Sequence, residues 1–474
     1  MFLLSAYPGH RAGRLALLCS VGLLAACAAQ PIAATPPFMD LPARWQDREL
    51  ARASPLADWW RRFDDAQLSA LVQGALDANP SIQSARAAVR QARALRDVAD
   101  GGLYPGLNSS LGASRNTVDS RSTDGASLGL DASWEADVFG NLRAGVSAAD
   151  AGLNASVASL GDVQVSVAVE VALAYLALRS AQQRLQIARS NLANQQDTLQ
   201  IADWRLQAGL VTTLETEQAR AALEQTRATL PALQTTIEQN AHALAILSGR
   251  TPEALLSELA PVHAVPQPDE DIALSFPAET LRQRADVRAA EFQITAAAAR
   301  LSQAQAARLP RFTLGGSIGL NALSLAGLMG VGTGATAVSG LLANVSLPLF
   351  KGGALNAQVR AQQAALEQAQ TGYKTIVLGA LRDVEDALVV LRGDRLRLAS
   401  LRLAATSAAN AAQLASQRFQ SGLIDFQTLL DTQRSQLSTQ DSVASAYAAV
   451  SADHVRLYKA LGGGWNSDLR NSEL

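Results

Sequence analysis

Ala126-Ser127-Leu128-Gly129-Leu130-Asp131-Ala132-Ser133-Trp134-Glu135-Ala136-Asp137-Val138 alternates without a break. Even positions carry Ala126, Leu128, Leu130, Ala132, Trp134, Ala136 and Val138; odd positions carry Ser127, Gly129, Asp131, Ser133, Glu135 and Asp137. Successive side chains of a strand point to opposite faces, so a strict period of two predicts a strand between an apolar and a polar medium. Leu107, Leu111 and Ala113 alternate more weakly just upstream. Downstream, Phe312, Leu314, Ile318 and Leu320 alternate with Arg311, Thr313, Ser317 and Gly319, and Leu341, Ala343, Val345, Leu347 and Leu349 fall on every second position. Strands of about ten residues with one apolar face match the membrane-spanning β-pattern.

A helical reading competes, because Phe312 to Phe350 is uncharged and Leu320–Leu342 is long enough to cross a bilayer. Gly327, Gly330, Gly332, Gly334 and Gly340 interrupt that stretch, and each glycine weakens a helix. The segment is therefore read as a β-hairpin with a long glycine-rich loop. The first pair of strands carries a polar, charged loop, Thr117 to Gly125, in the equivalent place.

The rest of the pattern is helical. No proline interrupts Gly145 to Leu206, which is roughly 90 Å of helix if continuous. Val163, Val165, Val167, Val169 and Val171 alternate like a strand, but Val167, Val171, Ala174, Tyr175 and Leu178 also fit helical spacing. The matching stretch Ile376 to Leu391 is plainly helical, so helix is expected in both. Gly209 and Gly422 each end a long helix, which resumes at about Thr213 and Phe426; each break predicts a helical hairpin tip.

These breaks belong to a duplication. Asn79-Pro80-Ser81-Ile82 leads through Ala-rich sequence to Tyr104-Pro105, and Ala285-Asp286-Val287-Arg288 leads likewise to Leu309-Pro310, 205 positions later. Val138-Phe139-Gly140-Asn141 is echoed 211 positions later by Leu349-Phe350-Lys351-Gly352. Arg205-x-Gln207-x-Gly209-Leu210 returns after 213 positions as Arg418-x-Gln420-x-Gly422-Leu423.

Both cysteines, Cys19 and Cys27, lie near the N-terminus, behind a basic Arg11 and Arg14 and the uncharged run Leu15 to Ala26. That run has signal-peptide length. Leu24-Ala25-Ala26-Cys27 resembles a bacterial lipobox, which predicts cleavage before Cys27 and lipidation of it; plain cleavage beside a chance cysteine is the alternative. Position 28 is Ala and not the Asp that resembles an inner-membrane retention signal. The expected organisation is a signal peptide (1–26), a lipid-anchored segment (27–62), a first repeat (63–250), a connector (251–280), a second repeat (281–462) and a tail (463–474).

Composition narrows the function. The 474 residues hold 40 Lys+Arg against 42 Asp+Glu, a net charge of -2, without the basic footprint that nucleic acid requires. Four histidines, of which His242, His263 and His454 have no partner at ligand spacing, argue against a metal, and no cofactor motif stands up. Gly315-Gly316-Ser317-Ile318-Gly319 fits a nucleophile elbow only in letters, since the alternating strand runs through Ser317. Gly330-x-Gly332-x-Gly334 lacks the helix that a nucleotide fingerprint needs. An enzyme is not expected.

Four membrane strands cannot close on themselves, because single-chain barrels start at eight and open edges in lipid are costly. The pattern therefore implies an oligomeric β-barrel continued by a helical tube. Trp59-Trp60-Arg61-Arg62-Phe63 with Asp65 and Leu68, Ala75-Leu76-x-x-Asn79-Pro80, the duplicated tips and Ala460-Leu461-Gly462-Gly463-Gly464-Trp465 together resemble the TolC-like outer-membrane efflux channels. The likeness is to the lipoprotein branch paired with resistance-nodulation-division pumps.

That resemblance implies a mixed α and β membrane protein. A homotrimer would form a transmembrane β-barrel, four strands per chain, continued by a long periplasmic α-barrel. Implied partners are outer-membrane lipid, a periplasmic adaptor and an inner-membrane pump of the resistance-nodulation-division class. Arg205, Gly209, Leu210, Arg418, Gly422 and Leu423 align with the tips that dock the adaptor; helix reversal alone is the competing reading. Asp431 and Arg434, one turn apart, align with a charged periplasmic gate, a solvated intrahelical pair being the alternative; Thr428 holds the place of a further acidic residue found in some relatives. Two other readings remain: a channel for an ABC-type exporter, and an envelope-spanning structural lipoprotein with no pore.

Overall fold

The computed structural model describes residues 37, 57–268, 281, 283–330 and 334–465. The expected signal peptide, the lipidation at Cys27 and most of the C-terminal tail lie outside the described residues. A 3-10 turn (Trp59–Phe63) precedes helices α1 (Ala66–Ala78) and α2 (Pro80–Gly101), strands β1 (Gly106–Val118) and β2 (Arg121–Ala136), and helices α3 (Asn141–Gln207) and α4 (Thr213–Leu247). The connector holds a 3-10 turn (Pro252–Leu255) and the one-turn helix α5 (Leu256–Leu259). Then follow α6 (Ala285–Ala306), β3 (Arg311–Ala322), the one-turn helix α7 (Leu325–Leu328), β4 (Thr336–Ser346), α8 (Ala354–Gln420) and α9 (Phe426–Ala460).

Every boundary of α8 and α9 lies 213 positions after the matching boundary of α3 and α4. The starts of α6 and β3 lie 205 after those of α2 and β1, and the end of β4 lies 210 after that of β2. The drift therefore accumulates in the second hairpin and in the turn leading to α8. Long helices thus keep strict register while the loops absorb the insertions, as expected where one residue of slip would rotate a packed face.

The chain forms two compact units. One gathers Ala88–Val157 and Ala289–Lys374, with the described part of Met1–Phe38. The other gathers the described parts of Met39–Ala87, Ala158–Arg288 and Thr375–Leu474.

The first unit holds an antiparallel sheet in the order β1-β2-β3-β4. Its first hairpin differs from the sequence expectation. Thr117 to Gly125 is not a loop: the strands continue to Val118 and from Arg121, leaving only Asp119 and Ser120 to turn, at φ 49° and 67°. Two central residues with positive φ make the tight turn whose twist matches paired strands. The polar residues read as loop composition instead face one another. Arg115 grips the Asp124 carboxylate through Nε and Nη2 at 2.6 and 2.8 Å, and Thr117 Oγ1 lies 3.0 Å from Ser122 Oγ. The second hairpin carries the longer, glycine-rich connection, with α7 inside it.

In the second unit, helix starts follow their caps. Asp65 accepts the Leu68 N–H at 2.8 Å, Thr212 forms a reciprocal capping box with Glu215, and Asp425 accepts the Thr428 N–H at 2.6 Å. The last bond holds the Asp425 carboxyl below its ordinary range. Asn79 caps α2 through Ser81 N–H at 2.8 Å and donates to the Leu247 carbonyl at 2.8 Å, tying the start of one helix to the end of another. Trp59, fully buried, stacks on Tyr458 with ring centroids 5.3 Å apart. The valine run of α3 is helical, with Val165, Val167, Val169 and Val171 all buried.

Asp453 is buried on α9, its Oδ1 2.7 Å from Arg456 Nη1. Burial pushes its carboxyl up to about 6, with Arg456 pulling the other way and Asp394 adding to the rise. A folded-state value above the unfolded one means that folding favours the protonated acid. Asp453 therefore contributes stability below the unfolded value that is lost as pH rises through about 6. Asp453→Asn should flatten the decline in stability between about pH 4 and 6. Denaturation midpoints measured across that range check it; an unaltered slope would refute the assignment.

Candidate functional site

Two surfaces stand out, one on each unit. On the sheet, directly opposed residues share a face. Leu128 lies opposite Leu111 and Leu320, Leu130 opposite Ile318, Trp134 opposite Leu314, and Leu314 opposite Ala343. The even-numbered face of β2 is thus continued across all four strands by apolar side chains, and Leu107, Leu111, Leu128, Leu130, Ile318 and Leu341 are exposed. The other face pairs Asp131 with Asn108 and Ser317, and Thr313 with Glu135 and Asn344. Such a sheet separates an apolar medium from water. β1 and β4 are each paired on one side only. Ser317 sits inside β3, facing Asp131 and Gly340, so the nucleophile-elbow letters fall on a paired strand.

The second surface is the pair of turns after α3 and α8. At each, Gly209 or Gly422 has a φ near +75° (72° and 75°). The N–H of Leu210 donates to the Arg205 carbonyl and that of Leu423 to the Arg418 carbonyl, both at 2.8 Å. The N–H groups of Gly209 and Gly422 donate to the carbonyls of Leu206 and Phe419 at 2.9 and 3.0 Å. This double bond pattern closes a helix on a left-handed residue, which glycine adopts at least cost. The same closure ends α4 and α9 at Gly249 and Gly462. There a Cβ would fall 2.5 Å from the Ala78 carbonyl oxygen and 2.8 Å from Arg284 Cγ. At Gly209 and Gly422 a Cβ would meet nothing within 4 Å. Packing demands glycine at the far ends, whereas at the tips only the turn demands it and the space outside stays open. Leu210 and Leu423 are each 73% exposed beside those glycines.

Beneath the tips lies an apolar cluster of Ala202, Ala219, Ala415, Phe419, Phe426 and Leu430 drawn from all four long helices. Phe419 and Phe426 rings are 5.4 Å apart. Arg205 is not free: its guanidinium lies 4.2 Å above the Phe419 ring and donates to the Phe419 and Gln420 carbonyls at 3.0 and 3.3 Å. Arg418, its repeat equivalent, is exposed. Phe419 and Asp425 were not singled out by the sequence. Asp425, three residues before Thr428, carries the N-cap spacing that could have flagged it; the Arg205–Phe419 stack has no local signal.

Asp431 and Arg434 share a face of α9 as their spacing requires, with Arg434 Nη1 3.4 Å from Asp431 Oδ1. Gln427 Nε2 donates to the same oxygen at 2.9 Å, and both charged side chains are about half exposed. Within one chain this is the solvated intrahelical pair. His454 is buried; its Nδ1 meets the Val450 carbonyl at 2.7 Å and its Nε2 lies 2.9 Å from Arg395 Nη2. Among the described residues, no group of three His, Cys, Asp or Glu side chains is arranged to hold a metal ion.

An alternating sheet with two unlike faces, followed by duplicated long helical hairpins, agrees with what known proteins show. The model of the outer membrane efflux protein family matches residues 71–250 and 276–463. The chain belongs to that family. Pyoverdine export outer membrane protein OpmQ of Pseudomonas putida is 34% identical over 92% of this chain and 94% of its own length. The probable outer membrane lipoprotein SilC of Salmonella typhimurium is 29% identical over 86% of this chain and 88% of its own. The solved structure of the outer-membrane channel OprN superposes with a TM-score of 0.82 at 32% identity, covering 91% of this chain and 100% of OprN. Family and fold are those of efflux channels rather than enzymes, mostly helical with a small sheet, and the protein is an outer-membrane protein that reaches into the periplasm.

Proposed function

We propose that three copies of the chain form the outer-membrane exit duct of a tripartite efflux pump. The duct carries drugs or toxic small molecules to the exterior from an inner-membrane resistance-nodulation-division pump and its periplasmic adaptor. The observation that carries the reading is the four-stranded sheet with one continuous apolar face and two open edges. In lipid such edges leave N–H and C=O groups unpaired at several kcal/mol each. Twelve strands from three chains close the sheet and remove the edges.

The helices support the same closure. Val165 and Leu176 of α3 are 4% and 1% exposed; beside Leu176, Tyr175 donates to Asp65 and Arg179 to the Pro261 carbonyl, and further along α3 Arg184 meets Asp441 of the second hairpin at 2.6 Å. Their repeat equivalents on α8, Leu378 and Val389, are 57% and 55% exposed. The same face is covered on one helix and bare on the other, as in a ring in which each second hairpin meets the first hairpin of the next copy. Val389, Leu396 and Leu403 follow at seven-residue spacing along this bare face.

Residues 1–26 serve as signal peptide, Cys27 carries the lipid anchor within 27–62, and 63–250 and 281–462 are the two repeats about the connector 251–280, with 463–474 as tail. The exposed turns at Gly209-Leu210 and Gly422-Leu423, shaped by the Arg205 and Arg418 carbonyls, receive the adaptor. Asp431, ringed three times about the axis beside Arg434, closes the periplasmic end by carboxylate repulsion of anions and by pairing. Asp431→Ala with Arg434→Ala is expected to raise passive leak several-fold in single-channel recordings, with trimer yield unaltered. Unchanged conductance would sink the gate.

A second reading keeps the channel and changes cargo and pump. OpmQ is a pyoverdine export protein, and likeness over nearly the whole chain favours a secreted product of that kind, which an ABC-type exporter could drive. Pull-down of the tagged protein from cross-linked cells separates the readings. A proton-driven pump with its adaptor supports the first and an ABC-type partner the second; recovery of neither returns weight to a structural lipoprotein.

A further inference from the structure

The repeat leaves one arginine engaged and its equivalent exposed. Arg205 stacks on Phe419 and donates to the carbonyls of Phe419 and Gln420. These belong to the last turn of α8, where helix carbonyls lack intrahelical donors and the helix dipole is negative, so a guanidinium is well placed. Arg418 holds the same motif position 213 residues later, is exposed, and makes no such bond among the described residues. The positions matching the two acceptors, Leu206 and Gln207, end α3. Among the described residues and outside the helix's own bonds, the Leu206 carbonyl accepts the Gly209 N–H and the Gln207 carbonyl accepts none.

We propose that Arg418 caps the end of α3 in a neighbouring copy of this chain, donating to its Leu206 and Gln207 carbonyls as Arg205 does to Phe419 and Gln420 within the chain. The inference rests on the three-copy ring and specifies the joint between copies. One substitution in the repeat separates the two joints: where Arg205 finds the Phe419 ring, Arg418 finds Leu206, which offers no π face. The joint between copies keeps the hydrogen bonds and loses the stack. It is the weaker of the two, so the ring of tips parts between copies rather than within them.

The test uses the full-length chain in membranes. Wild-type protein is first recorded in planar bilayers; absence of a pore removes the channel reading itself and is distinct from failure of the joint. With a pore present, Gln207→Cys combined with Arg418→Cys is treated with a short bismaleimide and denatured. Bands of two and three linked chains are expected, with one-chain bands from each single-cysteine variant; one-chain bands alone from the pair overturn the joint. Arg418→Ala should then raise closed-channel conductance several-fold, Arg418→Lys less, and Leu206→Phe should lower it by supplying the missing ring. Wild-type conductance in Arg418→Ala overturns the capping role.

Discussion

Gly422→Val is expected to reduce export to the level of cells lacking the protein while leaving wild-type amounts of assembled channel in the outer membrane. Valine at a φ of 75° is strained, by roughly 1–2 kcal/mol for a left-handed residue. That cost is local. The side chain meets no atom within 4 Å, and the helices on either side are anchored by Phe419 and Phe426. The branched side chain instead fills the open space above the turn, where the adaptor's backbone approaches. Gly422→Asn, which tolerates the left-handed conformation but fills the same space, should lose export likewise; export retained by Asn would assign the valine effect to backbone strain. Export assays beside denaturing-gel trimer yields decide the matter. If valine removes trimer and export together, the tip glycine serves only to reverse the helix.

Leu130→Arg is expected to abolish assembly of the membrane sheet. Leu130 sits on the apolar face opposite Ile318 and Ser109, about half exposed in the single chain. A charged residue on the lipid face costs about 2–4 kcal/mol near the bilayer midplane, on the order of 6–12 kcal/mol over three copies. Ser133→Arg, three positions away on the opposite face between Gly106 and Gly315, should be accepted, because that face borders water. The readout is the amount of heat-modifiable trimer in outer-membrane fractions. Equal tolerance of both arginines would show that this sheet does not face lipid.

Much of this was legible because its causes are local. A strand's side chains alternate whatever surrounds it, so Ala126 to Val138 announced a two-faced strand, which ends two residues earlier, at Ala136. A helix closed on a left-handed glycine needs only five or six neighbouring residues, so Gly209 and Gly422 marked the tips. Thr117 to Gly125 misled for the opposite reason. Its charges and hydroxyls look like loop until Arg115 finds Asp124 and Thr117 finds Ser122 across the strands. His454 gave no local sign of its contact either, since its partner Arg395 lies 59 positions away.

The sequence by itself determined the periods, the breaks and the duplication, because each is written in the spacing of neighbours along one chain. The tertiary structure alone decided which of two equivalent residues is occupied. Arg205 and Arg418 share a motif, and Val165 and Leu378 share a helix face, yet one of each pair is engaged and the other exposed. Local propensity treats equivalent positions alike. Their difference arises because contacts within one chain, such as that of Arg205 with Phe419, 214 residues on, cover one copy of the repeat and not the other.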